Sequence, residues 1–245
     1  MSGRQFVENR QRRLILQLHG GGYYGRIHNT YRDAAAMYVE VSGGADVLSP
    51  DYRVAPEHPY PAALDDALEA YKWLLEQDYR PENVVFAGDS AGGTLTVTTC
   101  MMARDRSYAI RPVFQLLIYP WLDDRNVSES YRKYTDTPMW NSTLSKKVSP
   151  LVNPDPSATP LAYRSPVEAD SFDDLPPAYI EVAEFDPLHD DGLYYAELLT
   201  KAGVPVELHE PEGTMHGFDS KVSAPTTQAM LQKRTAYMRK KFCGR

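Results

Sequence analysis

Short apolar runs alternate along the chain with segments whose apolar positions recur every three or four residues. Residues 14–18, 46–49, 84–87, 113–119, 178–182 and 204–209 are the strand candidates. Several are continuous in Val, Ile or Leu instead of alternating with polar residues, the pattern of strands covered on both faces. Residues 61–77 place Leu64, Ala67, Leu68, Tyr71, Leu74 and Leu75 on one helical stripe, with Pro61 suited to a first helical position. Residues 191–202 repeat that pattern and run into Gly203, a residue that favours the end of a helix. Residues 30–41 and 226–242 complete the helix candidates. Strand and helix in regular succession predict an α/β fold with a mostly parallel sheet flanked by helices. Residues 121–175 break the rhythm: they hold no convincing strand and carry prolines at 138, 150, 154, 156, 160 and 166. A stretch this long inside one domain carries short helices or serves as a lid, so it is read as a cap-like insertion in a single domain spanning 1–245.

Composition narrows the functional classes. The chain has 245 residues, 42% hydrophobic and 24% charged, enough to bury an independent core without staples. With 26 Lys+Arg against 33 Asp+Glu the net charge is −7, and no basic run appears, so no nucleic-acid partner is expected. Cys100 and Cys243 are too few for a disulfide framework. No stretch approaches the ~20 apolar residues of a membrane span. Residues 1–13 are polar and carry Arg4, Arg10, Arg12 and Arg13, without the apolar segment of a secretory leader. Asn126-Val127-Ser128 and Asn141-Ser142-Thr143 match the glycosylation pattern, but with no leader they read as chance. A reduced, cytoplasmic setting is the expectation.

The strongest chemical signal is Gly88-Asp89-Ser90-Ala91-Gly92, reached directly from the apolar run 84–87 and followed by a helix-compatible stretch. A serine at such a strand-to-helix corner projects its hydroxyl into a cleft, and the flanking glycines relieve contacts that a Cβ would make. The following helix directs unpaired N–H groups toward developing negative charge. His19-Gly20-Gly21-Gly22 directly follows the run 14–18, and consecutive glycines let backbone amides converge on one oxygen. Gly21, Gly22 and Ala91 are therefore the candidate oxyanion donors. Gly20-Gly21-Gly22-Tyr23-Tyr24-Gly25 also satisfies the dinucleotide pattern G-x-G-x-x-G, with Asp46 or Asp51 as ribose acid. The bulky Tyr23-Tyr24 pair suits close pyrophosphate approach poorly, and that reading leaves Ser90 unexplained.

A nucleophilic serine needs a base and an acid that orients it, and after a turn of this type they follow as acid and then histidine. Of the six histidines only His189, His209 and His216 come after Ser90. His209 sits in a strand-like run, whereas His216 lies in a glycine-flanked loop between the last strand and the last helix. Asp186 follows the strand 178–182 at its carboxyl end, where open α/β sheets form their sites. Asp190 and Asp191 are competitors, read as caps of the next helix. No metal site is expected, since neither H-E-x-x-H nor a zinc-like Cys/His spacing occurs.

With these residues assembled, the chain resembles the hormone-sensitive lipase-like family of α/β-hydrolase esterases. His19-Gly20-Gly21-Gly22 and Gly88-Asp89-Ser90-Ala91-Gly92-Gly93 look like its two signature motifs, and residues 51–63 (DYRVAPEHPYPAA) are similar to its characteristic segment between them. Asp186-Pro187-Leu188-His189-Asp190 and His216-Gly217-Phe218 match its acid and base motifs. The resemblance implies hydrolysis of small-molecule carboxylic esters of short to medium acyl chain, without cofactor, by Ser90, His216 and Asp186 through an acyl-enzyme. It gives His19 a supporting role in the oxyanion loop and Asp51 and Arg53 structural ones. Trp121, Trp140 and Tyr23 are candidates to line the acyl site, with plain packing as the alternative. Family members carry some tens of residues before the glycine run, supplying early strands and cap helices that are missing here. That departure predicts an open pocket and an exposed strand around 46–49, hence a homodimer or a poorly stable protein. Two other readings stand beside the esterase. A catalytically impaired ligand-binding protein is one, as in plant hormone receptors that resemble the family but lose a triad member. An amidase or deacetylase using the same three residues is the other.

Overall fold

In the computed structural model, residues 12–242 and 244 are described, apart from positions 78 and 110. Six parallel strands form one sheet: β1 (Leu14–Leu18), β2 (Asp46–Leu48), β3 (Val84–Asp89), β4 (Gln115–Ile118), β5 (Ala178–Glu181) and β6 (Val206–His209), in the order β2-β1-β3-β4-β5-β6. Every pairing is parallel. The helices are α1 (Thr30–Ser42), α2 (Ala62–Leu75), α3 (Ala91–Asp105), α4 (Glu129–Lys133), α5 (Ser142–Val152), α6 (Leu161–Arg164), α7 (His189–Lys201) and α8 (Pro225–Phe242).

The two-residue period of a strand explains how one sheet serves two cores. Leu14, Leu16 and Leu18 of β1 point to the face packed by α2, α3 and α7, where Leu64, Tyr71, Leu95 and Tyr195 are buried. Ile15, Val85, Ala87, Leu116 and Ile118 point to the other face, against Tyr38 of α1 and Met230, Tyr237 and Phe242 of α8. Each fully buried Leu or Ile contributes roughly 1.5–3 kcal/mol. Polar residues within these strands are all paired. Gln17 accepts from Ser49 Oγ at 2.8 Å, and Gln115 donates to Pro176 O at 3.0 Å and accepts from Tyr195 at 3.1 Å. Glu181, fully buried, is held by Arg234 of α8 at 2.7 Å from each of its oxygens.

Helix α7 ends as its sequence predicts. Gly203 takes φ +74°, its N–H reaches Thr200 O at 3.0 Å, and the Val204 N–H reaches Leu199 O at 2.9 Å. That reciprocal pair closes the last turn, and glycine adopts the left-handed conformation it needs without penalty. Strand β2 forms one edge of the sheet, with the Asp46 carboxylate held by Arg12 at 3.0 Å and the Tyr79 hydroxyl at 2.7 Å. Residues 121–175 contain no strand; they hold α4, α5 and α6, of which α6 packs on α3 and α4 on α7. Among the described residues no helix is long and apolar enough to cross a membrane. Cys100 is buried in α3, while Cys243 and residues 1–11 lie outside the described residues.

Candidate active site

The strand order reverses its direction of growth between β1 and β3. The chain leaves β1 toward β2 on one side and later crosses to β3 on the other, so the loops after β1 and β3 part and open a crevice. The glycine run follows β1 and Ser90 follows β3, so both motifs face that crevice.

Ser90 sits at the corner with φ +52° and ψ −122°, outside the regions a side-chain-bearing residue normally occupies. The corner leaves no room for side chains beneath it. A Cβ on Gly88 would strike the Gly92 carbonyl, and one on Gly92 would strike the Leu18 carbonyl of β1. Helix α3 starts at Ala91; the Gly93 N–H turns back to Ser90 O at 2.9 Å, and the N–H groups of Ala91 and Gly92 lie at the helix start, where no carbonyl of the helix can accept them.

The candidate acid and base arrive from the other half of the sheet. Asp186 follows β5 and His216 follows β6, and the structure brings both to Ser90. His216 Nδ1 lies 2.6 Å from Asp186 Oδ2, and His216 Nε2 lies 3.0 Å from Ser90 Oγ. A carboxylate only accepts, so Nδ1 carries the proton and Nε2 is free to accept from the serine hydroxyl. Asp186 is fully buried, and its second oxygen takes the Leu188 N–H at 2.9 Å. Ser90 and His216 are nearly buried as well. The Tyr119 ring packs against the imidazole, with centroids 4.6 Å apart.

The competing aspartates are not helix caps. Both lie inside the first turn of α7; Asp190 turns its carboxylate toward α4 and Asp191 toward the loop after β4. Asp190 accepts from the Ser130 N–H at 2.8 Å and meets His189 Nδ1 at 2.9 Å. Asp191 accepts from the Leu122 and Asp123 N–H groups at 3.3 and 3.2 Å. Burial, reinforced by Asp123, raises its carboxyl well above the ordinary range. His209 ends β6 against Tyr179, away from the crevice, and its Nε2 lies 3.1 Å from Glu207.

The glycine loop is set by its neighbours. His19 lies flat on Tyr52, with rings 3.9 Å apart and 3° from parallel, and its Nδ1 donates to Gly20 O at 2.6 Å. Burial lowers its pKa, so the ring is neutral at physiological pH. Gly21 and Gly22 take φ +111° and +58°, values that admit glycine readily. No helix opens at these glycines, since α1 begins only at Thr30, unlike the dinucleotide turn. Asp46 is tied to Arg12 and Tyr79, as noted, and Asp51 pairs with Arg26 at 2.9 Å. Arg53 forks onto Asp66, fixing the start of α2.

Two further carboxylates, Asp89 and Asp219, hold the loops around the site. Asp89, inside the serine motif, accepts from the Gly20 N–H at 3.2 Å and from the Tyr31 hydroxyl at 2.7 Å. Asp219, three residues past the base, accepts from the Tyr119 hydroxyl at 2.6 Å and pairs with Arg234 at 2.9 Å. The signal for this pair was Glu181, a charge inside an apolar strand that has to find a partner.

Of the three aromatic candidates, Tyr23 and Trp121 line a cavity of about 10 Å³, room for roughly one water molecule. Tyr60, Thr94, Val152 and the Asp124–Arg164 ion pair form its other walls. Trp140 does not line that cavity but packs on Trp121, with ring centres 5.7 Å apart. Its ring lies 6.3 Å from that of His216 and covers Gly22, where a Cβ would come within 3.1 Å of it.

Comparison with known proteins agrees with this geometry. A family described as having the alpha/beta hydrolase fold matches residues 15–220. The esterase LipI of Mycobacterium tuberculosis is 39% identical over 214 residues, covering 84% of this chain and 65% of that protein. The carboxylesterase NlhH of the same species is 39% identical over 214 residues, covering 84% of this chain and 66% of its own length. The chain thus spans slightly less than two thirds of these curated relatives. Among solved structures, a hyperthermophilic esterase from the archaeon Pyrobaculum calidifontis superposes with a TM-score of 0.86 at 31% identity, covering 95% of this chain and 78% of that one. The esterase LipW of Mycobacterium marinum gives a TM-score of 0.86 at 31% identity, covering 95% and 76%.

Proposed function

The chain belongs to the α/β-hydrolase fold family, within its hormone-sensitive lipase-like group, and from that premise we propose that it is a serine carboxylesterase acting on small esters of short to medium acyl chain. One observation carries the reading: His216 bridges Ser90 at 3.0 Å and Asp186 at 2.6 Å beside a loop of glycine amides. A scaffold that only bound a ligand would not require a hydroxyl, an imidazole and a carboxylate within hydrogen-bonding distance in series.

Ser90 Oγ attacks the ester carbonyl carbon while its proton passes to His216 Nε2. The carbonyl electron pair becomes an oxyanion received by the N–H groups of Gly21, Gly22 and Ala91, with the N-terminus of α3 adding its dipole. Asp186 holds the imidazole in the tautomer described above and stabilises the imidazolium. The tetrahedral adduct collapses, the C–O bond to the alcohol breaks, and the leaving oxygen takes the proton from Nε2. Water then gives a proton to Nε2 and attacks the acyl carbon; collapse releases the acid and returns the proton to Ser90 Oγ. Residues 121–175 serve as the cap over this crevice. Tyr23 and Trp121 wall the acyl side, and the Asp124–Arg164 pair behind them favours short acyl groups.

The test is a series of chromogenic esters of increasing acyl length, run on the wild-type protein beside Ser90→Ala. Turnover of the short esters with a loss of roughly 10⁴-fold in Ser90→Ala is the expected result. Equal turnover by the two proteins would remove Ser90 from the mechanism.

A further inference from the structure

His189 opens helix α7 just past the proposed acid, and its imidazole is held at both nitrogens by carboxylates. Nδ1 lies 2.9 Å from Asp190 Oδ1, and Nε2 lies 2.6 Å from Glu210 Oε1. A carboxylate only accepts, so two such contacts require a proton on each ring nitrogen and make the ring an imidazolium. The His189 side chain is 15% exposed and that of Glu210 is 49% exposed. The proposed reaction uses none of these three groups.

The two ends of this bridge lie on different segments. His189 belongs to the segment after β5 that carries Asp186, whereas Glu210 directly follows β6 and begins the loop that carries His216. Further along, the same segments are laced by the Gly213 N–H to Glu184 Oε2 at 2.7 Å, the Glu184 N–H to Thr214 Oγ1 at 3.2 Å and the Phe185 N–H to Thr214 O at 2.8 Å. None of those three bonds involves an imidazole, the side chain that ordinarily changes its charge near neutral pH. Asp190 faces the ring from its own helix and Glu210 from the loop after β6, while α4 meets this turn through the uncharged Ser130. Burial pulls the His189 pKa down, but the hydrogen bonds and charges of Asp190 and Glu210 outweigh it and raise the value above 6.5. Resting on the esterase reading, we propose that His189 is a positioning residue for the base: as an imidazolium it clamps the His216 loop to the Asp186 segment through Glu210, and it loosens that loop when it gives up its proton. A loosened loop holds His216 Nε2 within reach of Ser90 for a smaller share of the time, so turnover slows while substrate binding does not change. The three remaining bonds keep the loop in place, which makes the effect graded. Because the folded ring holds its proton more tightly than an ordinary histidine, the clamp is closed below pH 6.5 and opens as pH rises through the higher folded value.

The experiment measures kcat and KM for a short-chain acyl ester from about pH 6 to pH 9 on wild type, His189→Gln, His189→Arg and Glu210→Gln. At the acid end His189→Gln, which cannot carry the charge, lowers kcat about two- to fivefold with KM unchanged, the size of a partly exposed ion pair. Glu210→Gln, at a half-exposed position and with the histidine still in place, does the same. As pH rises, the kcat ratio of His189→Gln to wild type climbs toward unity, because the wild-type clamp opens. Over the same range the ratio of His189→Arg to wild type rises about two- to fivefold, since the guanidinium keeps its charge. Wild-type protein that turns over no short ester overturns the esterase reading and this inference with it. Wild-type turnover that both glutamine variants match at every pH overturns this inference alone. A ratio of His189→Arg to wild type that stays flat with pH also overturns it.

Discussion

Asp89 accepts a hydrogen bond from the backbone N–H of Gly20, a residue 69 positions earlier in the chain. The side chain next to the nucleophile therefore fastens the glycine loop, and the Tyr31 hydroxyl fastens its second oxygen. Burial raises the Asp89 carboxyl to about 6, against the opposing pull of the Tyr31 hydrogen bond; Asp219 adds to the rise, while His216 and the Gly20 N–H oppose it.

That shift has a sign that can be measured. The folded value of about 6 exceeds the ordinary 3.8, so the folded state holds this proton more tightly than the unfolded chain. The favourable contribution is complete below the unfolded value and is lost as pH rises through about 6. Its full size is on the order of 3 kcal/mol. Asp89→Asn keeps the shape and does not titrate. Urea unfolding should show the stability of wild type relative to Asp89→Asn declining between roughly pH 4 and pH 7. A difference that is flat across that range would refute the shift.

Asp186→Asn should cost about 10³–10⁴-fold in kcat, because an amide cannot hold His216 in the required tautomer. Asp190→Asn should cost less than about tenfold, since the oxygens of Asp190 are committed to Ser130 and His189. Steady-state kinetics on the two variants decide the acid. A larger loss in Asp190→Asn would reverse the assignment.

The corner conformation of Ser90 predicts an unusual order of stabilities. At φ +52° a Cβ is strained, by about 1–3 kcal/mol, and glycine escapes that strain. Both Ser90→Gly and Ser90→Ala lose the hydroxyl, so the difference between them isolates the backbone. Ser90→Gly should be the more stable by about 1 kcal/mol, or roughly 2–4 °C in melting temperature for a chain of this size. Calorimetry giving alanine the higher melting temperature would contradict the strain.

Arg234 joins α8 to the loop that carries the base, pairing with Glu181 in β5 and with Asp219. Arg234→Met leaves the Glu181 carboxylate buried without its cation, a loss of about 3–5 kcal/mol by denaturant unfolding. Tyr119→Phe removes only the hydroxyl that reaches Asp219 and should cost about 1 kcal/mol or a little more. A tolerated Arg234→Met would show that water reaches Glu181.

The sheet was legible where burial on both faces leaves unbroken apolar runs. Strand 14–18 lies where the pattern puts it, and 204–209 shortens to Val206–His209 because Pro205 has no N–H to give the ladder. Helix α3 was visible only as a stretch compatible with a helix. It is rich in threonine and buried on every side from Ala91 to Ala103, so it shows no polar face to mark its period. Helices α4 and α6 are too short for periodicity to register. The three candidate residues that the structure brings within hydrogen-bonding distance could be picked out from local motifs and their order. The ties of Gly20 to Asp89 and of Glu181 to Arg234 could not, since each joins strands and helices remote in sequence.

Serine and glycine amides all come from residues before 94, and the carboxylate and imidazole all come from residues after 180. Positions 154–158 between them are exposed. On the esterase reading, a protease nick there would leave two polypeptides, each carrying half of the proposed machinery and neither able to act by itself. Turnover would then report their reassociation, which makes this fold a natural starting point for a split-enzyme sensor.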